Sequence, residues 1–174
     1  RVLDRIATVV PPKLQRPTEL EIPFYRALAR EDSLPRAAFA SPAGMRALSD
    51  INKLEYLQAG LPALGGVGTA RGLARFYQLL ANDGVLDEVA ALPSRVVETA
   101  RTLQTSGEDH TLMMPTSFTA GFMRDPLHPS GEKARTIFGP SPRAFGQPGA
   151  GGSHAFADPD SRSAWNVSGS AVGA

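Results

Sequence analysis

The stretch Arg143-Ala-Phe-Gly-Gln-Pro-Gly-Ala-Gly-Gly-Ser-His-Ala-Phe-Ala-Asp-Pro-Asp160 decides the fold of this 174-residue chain. It predicts a short strand, a glycine-rich edge, a second strand with an alternating pattern, and a type I turn at Asp158-Pro-Asp-Ser161. Gly149, Gly151 and Gly152 carry no side chain, so a ligand or another backbone segment can come close to bare N–H donors there. The stretch resembles a substrate-binding edge, although it contains no obvious nucleophile.

The preceding residues predict two amphipathic helices. The first spans Thr69–Gly84, with Thr69 as its N-cap, Gly84 as its stop, and an apolar stripe at i, i+3, i+4 and i+7. The members of that stripe are Leu73, Phe76, Tyr77 and Leu80. A second helix is predicted from about Ser94 to Leu103, after Pro93.

The first 60 residues predict several short helices separated by prolines. These helices are expected over residues 1–9, from Pro23, from Ser41-Pro42 to Leu48, and from Asn52 as N-cap to Gly60. Asp32-Ser-Leu-Pro35 is expected to end the helix that starts at Pro23. Short helices of this kind cannot form a core alone, so we expect a lid, or a face packed on something else.

Strands follow the helices. Their candidates are Ser117–Met123, Arg143–Phe145, Ser153–Ala157 and Ser163–Ser168. Helices first and a meander last predict an α+β fold, in which an antiparallel sheet packs with helices.

Composition excludes several functions. With 18 Lys+Arg against 17 Asp+Glu there is no basic field for nucleic acid, and a neutral or small ligand is favoured. The absence of cysteine excludes disulfides, thiolate zinc sites and a cysteine nucleophile. No window approaches the ~18 apolar residues of a membrane span, and the first residues do not resemble a signal peptide. We therefore expect a cytoplasmic protein without a cofactor, and the missing start signal before Val2 suggests that the sequence begins inside a larger protein.

The three histidines are His110, His128 and His154, and their spacing does not predict a metal site. His154 lies beside the glycine-rich edge. It is either a ligand contact or a solvent-facing strand residue, and the sequence leaves both open.

Two local motifs resemble functional signatures. Gly65-Gly-Val-Gly-Thr69 precedes a helix, but it lacks the Gly-Lys-Ser/Thr of a phosphate loop and has Pro62 where a strand is needed. Ser130-Gly-Glu-Lys133 matches the Ser-x-x-Lys of penicillin-recognising enzymes, whose lysine must lie one helical turn from the serine. Because Pro126, Pro129 and Gly131 disfavour a helix, we expect a surface loop.

The order of several motifs resembles the C-terminal half of the serine β-lactamase and penicillin-binding-protein-like family, particularly the esterase branch related to class C β-lactamases. These motifs are Gly66-Val-Gly-Thr-Ala-Arg-Gly-Leu-Ala-Arg-Phe76, Leu86, Gly121-Phe122 and Gly146-Gln-Pro-Gly-Ala-Gly-Gly-Ser153. The similarity covers about residues 60 to 168. It implies a partial β-lactamase/transpeptidase-like fold, with residues 1–60 as a lid-like helical segment and residues 61–174 as the C-terminal part of a single, incomplete domain.

The resemblance also implies a function. Family members form an acyl-enzyme on a serine and then hydrolyse it, with small ester or β-lactam-like substrates. Gln147, Pro148 and Gly149 occupy the family's Lys-Thr-Gly-like triplet, and Ala150 would supply an oxyanion N–H. Residues 20–60 would match the segment that roofs the cleft.

Three departures from the family pattern limit what this chain can do. Gln147 replaces a lysine or histidine, the helical Ser-x-x-Lys nucleophile is missing, and no tyrosine has Asn or Ser two positions on. The leading hypothesis is therefore a truncated serine hydrolase that is inactive alone. There are two alternatives. One is a non-catalytic binding module, in which the glycine-rich edge holds a ligand, a missing N-terminal segment or a second copy of the chain. The other is a structural protein without a site.

Overall fold

The computed structural model describes residues 6–9, 17–40, 48–149 and 152–167, which form five α-helices and eight strands. The helices are α1 (Ile22–Leu28), α2 (Leu34–Phe39), α3 (Leu54–Gln58), α4 (Ala70–Ala81) and α5 (Ser94–Arg101). The strands are β1 (Val85–Leu86), β2 (Val89–Ala90), β3 (Leu103–Asp109), β4 (Met114–Thr119), β5 (Met123–Arg124), β6 (Phe145–Pro148), β7 (His154–Asp158) and β8 (Ser163–Val167). A short 3₁₀ helix spans Leu48–Asn52.

Contacts divide the chain into two compact units. The first unit holds the described residues up to Gly68 together with Asp109–Met114. The second unit holds Thr69–Glu108 and the described residues from Pro115 on. Within the described residues, no helix is long and apolar enough to cross a membrane.

The first unit contains the short helices. Pro23 opens α1 as expected, and α1 ends at Leu28, before Asp32–Pro35. This segment also begins the next helix, because the hydroxyl of Ser33 accepts the N–H of Arg36 at the start of α2. Residues 6–9 are not helical, which corrects that part of the expected first helix. The helix expected from Ser41 to Leu48 lies mostly outside the described residues.

Asn52 does not cap α3. Lys53 occupies the N-cap position without a side-chain hydrogen bond, while the amide of Asn52 exchanges two hydrogen bonds with the backbone of Val9, at 2.7 and 2.8 Å. The amide of an asparagine side chain can form hydrogen bonds with a distant backbone N–H and C=O as readily as with a helix end. The position of Asn52 before α3 therefore did not determine which groups its side chain would bind.

Helix α4 begins and ends as its sequence predicts. The hydroxyl of Thr69 accepts the N–H of Gly72 at 3.0 Å. After the last helical residue, Ala81, the chain takes a positive φ first at Asp83, of +52°, and then at the predicted stop, Gly84, of +90°. Helix α5 is also confirmed from Ser94, but it ends at Arg101, two residues before the expected boundary.

The second unit is built on a six-stranded sheet with the order β3-β4-β5-β6-β7-β8. Each pairing from β4 to β8 is antiparallel, so the α+β fold with an antiparallel meander is confirmed. Strands β1 and β2 form a separate hairpin. The expected strand Ser117–Met123 is instead the end of β4, a turn at Gly121 with φ of +99°, and the start of β5.

Two apolar clusters lie in the second unit. One joins α4 and α5 to β6 and β7, and its buried members are Tyr77, Leu80, Ala81, Val97, Phe145, Ala155 and Ala157. The other contains Met123, Phe138 and Ala144, with Phe118, Ile137 and Phe156 packed against it. The first cluster fixes the helices on the sheet, and thereby fixes β6.

Candidate functional site

Strand β6 is internal to the sheet, but its last two residues have a strand on one side only. Strand β5 pairs with Phe145 and Gly146, whereas β7 pairs with all four residues of β6. Among the described residues, Gln147 and Pro148 therefore have no strand partner on the β5 side. A proline is tolerated there because it has no N–H to leave unpaired. The expected edge is thus a local opening beside an otherwise covered strand.

Gly146 holds β6 and β7 at their observed distance. A Cβ atom at this position would lie 2.2 Å from the carbonyl oxygen of Ala155 and 2.6 Å from Cβ of Phe156. Both neighbours are fixed by the sheet, so no larger residue is accommodated without moving β7. The close approach inferred from the glycines is therefore real, but at Gly146 it is made by the neighbouring strand.

Gly149 and Gly152 close the hairpin between β6 and β7. The N–H of Gly149 donates to the carbonyl of Ser153 at 2.7 Å, and the N–H of Gly152 donates to the carbonyl of Gly149 at 2.9 Å. Gly152 has a φ of +89°, which favours glycine. The expectation of bare N–H donors is therefore wrong for these two residues. Ala150 and Gly151 lie outside the described residues, so the oxyanion donor assigned to Ala150 stays a prediction.

The side chain of Gln147 lies on the face of the sheet that α4 covers. Directly opposed residues of an antiparallel pair share a face, so Gln147 is in one row with Ala155 and Asn166. Asn166 donates from Nδ2 to the carbonyl of Ala70, at the start of α4. Gln147 is exposed, and the hydrogen bond of its Nε2 to a described residue is the one to the neighbouring carbonyl of Pro148, at 3.1 Å. Its amide is therefore available to a ligand at the open end of β6.

His154 lies on the opposite face, in one row with Pro148. Its ring stacks on Phe138 at a centroid distance of 5.5 Å and an interplanar angle of 9°. Its Nε2 is 3.0 Å from the carbonyl oxygen of Ile137, so this nitrogen carries the proton. The structure therefore does not bring His154 together with Gln147. The ligand contact assigned to His154 stays a prediction, and it would lie on the Phe138 side of the sheet.

Ser130–Lys133 forms a loop, as expected, with Gly131 at a φ of +87°. Lys133 is nevertheless not on the surface. Its Nζ lies 2.8 Å from Oδ2 of Asp125 and 2.6 Å from the carbonyl of Gly139, and the two charged side chains are 7% and 0% exposed. Lys133 is thus engaged in a buried ion pair and does not activate Ser130.

Asp125 organises the loop between β5 and β6. Besides Lys133, its carboxylate accepts the N–H groups of Ile137 and Phe138 at 2.9 and 3.0 Å. Sequence reasoning missed this residue, because nothing in the pattern near Asp125 predicts the return of the chain at Ile137. Within the described part of the chain, no three His, Cys, Asp or Glu residues cluster as metal ligands would.

A mixed fold in which helices pack on an antiparallel sheet is of the β-lactamase and penicillin-binding-protein type. The model of the family described as Beta-lactamase matches residues 10–170, so the chain belongs to the Beta-lactamase family. The resemblance expected from the motifs is therefore confirmed.

Individual relatives match part of the chain. It is 33% identical over 105 residues to "Esterase/beta-lactamase LipL" of Mycobacterium tuberculosis, covering 60% of this chain and 22% of that relative. Among solved structures, "a family VIII carboxylesterase" matches with 29% identity and a TM-score of 0.50, over 57% of this chain and 25% of that one. A penicillin-binding protein homolog from Caulobacter crescentus matches with 35% identity and a TM-score of 0.48, over 56% and 24%. The match thus spans about a quarter of each relative's length.

Proposed function

We propose that this chain is the C-terminal part of a serine hydrolase that cleaves small esters through an acyl-enzyme. The observation that carries the proposal is the opening beside Gln147 and Pro148, in a chain of the Beta-lactamase family. Two of its relatives are an esterase/β-lactamase and a carboxylesterase by name. The proposal includes a division at residue 60 into a helical segment and the C-terminal part of the hydrolase domain.

The chemistry proposed for the complete protein has two steps. A serine hydroxyl from residues outside this sequence attacks the ester carbonyl carbon, a base takes its proton, and the alcohol leaves. Water then attacks the acyl-enzyme and releases the acid. In both steps the carbonyl oxygen gains negative charge, which backbone N–H groups stabilise. This chain would contribute the open end of β6 and the N–H of Ala150, and alone it would be inactive.

Gln147 favours a neutral substrate in this scheme. This residue is exposed, and its Nε2 donates to the carbonyl of Pro148. An amide can donate a hydrogen bond to an ester oxygen, but it forms no ion pair with a carboxylate. We therefore propose a short-chain ester as the preferred substrate over a β-lactam that carries a carboxylate.

The test compares the chain alone with the longer protein that contains it, using a chromogenic p-nitrophenyl butyrate. We expect no turnover by the chain alone. In the longer protein, Gln147→Ala should lower kcat/KM about tenfold, the value of one lost hydrogen bond. Gln104→Ala is the matched control, because Gln104 is also exposed and its amide also donates to a nearby carbonyl, that of Thr102 at 3.2 Å.

Two outcomes would contradict the proposal. Ester hydrolysis by the chain alone that is lost on replacing one of its own serines would place the nucleophile inside this chain. Equal activity of the Gln147 and Gln104 variants would show that Gln147 of β6 does not contact the substrate. Circular dichroism of each variant verifies that it is folded.

A further inference from the structure

Three arginine side chains line a small cleft at the other end of β6. Arg143 precedes this strand, and Arg124 pairs with its first residue, whereas Gln147 lies near its last. The cleft has a volume of about 250 Å³, and its lining residues are Glu98, Arg101, Thr102, Leu103, Arg124 and Arg143. All of them belong to the second compact unit. Because a strand rises ~3.3 Å per residue, the cleft is ~10 Å or more from the open end of β6.

Two of these arginines are neutralised by carboxylates. Arg101 contacts Asp83 at 2.7 Å and also forms an ion pair with Glu98. Arg143 contacts Asp160 at 2.7 Å. These carboxylates hold the two guanidinium groups in place at the wall of the cleft.

Arg124 differs from both. Among the described residues, no carboxylate lies within ion-pair distance of its guanidinium, whose Nη2 donates to the carbonyl of Pro142 at 2.5 Å. An arginine has five N–H donors, in a planar fork that matches two oxygens of a carboxylate or phosphate. Because one hydrogen bond to a carbonyl uses one of these donors, the other N–H groups of Arg124 can donate to a ligand in the cleft.

The surroundings of Arg124 also destabilise the charged form of its guanidinium group. Burial lowers the pKa of Arg124, and the nearby charge of Arg143 lowers it further. An arginine remains protonated nonetheless, so Arg124 keeps a half-buried positive charge, while the carboxylate of Glu98 in the same cleft is paired with Arg101. A bound anion would supply a negative partner for Arg124.

We propose that this cleft binds a small oxyanion, of the phosphate or carboxylate class, held mainly by Arg124 with Arg143 beside it. The binding does not depend on hydrolase activity, since no residue of the cleft belongs to the open end of β6.

The test is thermal unfolding of the chain in inorganic phosphate and in sodium chloride at equal ionic strength, followed by the fluorescence of its single tryptophan, Trp165. Phosphate binding to the folded state should raise Tm in a saturable way. Arg124→Met should weaken the apparent phosphate affinity about tenfold, as expected for the loss of one charged hydrogen-bonding group. Arg95→Met removes the same charge from an exposed position on α5 outside the cleft, and it should leave the affinity unchanged.

A second variant keeps the test decisive if Arg124→Met does not fold. Arg143→Met leaves Arg124 in place, and it too should weaken phosphate binding, by a smaller factor. The proposal is overturned if phosphate stabilises the chain no more than chloride does. It is also overturned if the Arg95 variant loses as much affinity as the variants in the cleft.

Discussion

The two compact units bury their side chains to very different extents. The described helices of the first unit have five to seven residues, and Pro35 is the residue that they bury. The second unit has a helix of twelve residues against a six-stranded sheet, and it contains both apolar clusters. A helix of one or two turns presents a narrow apolar stripe, whereas a sheet brings together residues far apart in sequence. The stability of this chain should therefore reside in the second unit.

The largest expected effect is that of Phe145→Ala. Phe145 is fully buried, and its ring meets that of Phe122 edge-on at 5.4 Å. Its truncation leaves a cavity between β6 and the helices, so we expect a loss of about 4 kcal/mol in the free energy of unfolding. Urea denaturation followed by Trp165, which lies on β8 in the same unit, measures this loss.

Phe39→Ala is the matched substitution in the first unit. Phe39 is 47% exposed and contacts the ring of Phe24 at 5.3 Å. Its truncation should leave the transition reported by Trp165 unchanged. Equal losses for the two phenylalanine variants would show that the units unfold together, with stability shared between them.

The next effect concerns ion pairs. Lys133→Met leaves the carboxylate of Asp125 buried without its cation, and breaking such a pair should cost about 3 kcal/mol. Adding Asp125→Asn should recover part of this loss, because it removes the uncompensated charge. Urea denaturation of the single and double variants measures both.

The first unit offers a contrasting pair. Arg30 and Asp32 are 70% and 76% exposed at 3.3 Å, so water screens their attraction and Arg30→Met should cause no measurable loss. If Lys133→Met were as harmless, burial would not be what distinguishes the two ion pairs.

The sequence predicted best those elements whose signals are local. Helix α4 has a cap at Thr69, an apolar stripe and a stop at Gly84, and it was placed within about two residues. Strand β3 was missed, because Leu103–Asp109 is exposed almost throughout and has no apolar alternation. The β1–β2 hairpin was missed as well, because Asp87 and Glu88 take positive φ values of +49° and +65° without a glycine.

The sequence predicted which stretch of the chain contains the candidate site, but not how its side chains are arranged. The predicted strand Arg143–Phe145 ended too early, because β6 runs from Phe145 to Pro148 and includes Gln147. The open side of Gln147 depends on β5 being two residues long. The two faces that separate Gln147 from His154 depend on register, which the alternation alone did not assign. The burial of Lys133 depends on Asp125, eight residues away along a loop without periodicity.

The smallest effect separates two tyrosines and becomes visible only at alkaline pH. Burial raises the pKa of Tyr77 to about 12, whereas an unfolded tyrosine titrates near pH 10. Between these values the unfolded chain loses the phenolic proton and the folded chain keeps it, so the free energy of unfolding falls as pH rises. This contribution amounts to about 2 kcal/mol by pH 12.

Tyr77→Phe should therefore lose less stability than the unmodified chain between pH 10 and 12, with little difference in pH dependence below pH 9. Tyr25→Phe, at a half-exposed position of the first unit, should retain the full alkaline loss. Urea denaturation at pH 8, 10 and 11.5 measures these differences, and identical profiles for the two variants would mean that the hydroxyl of Tyr77 is not held in the core of the second unit.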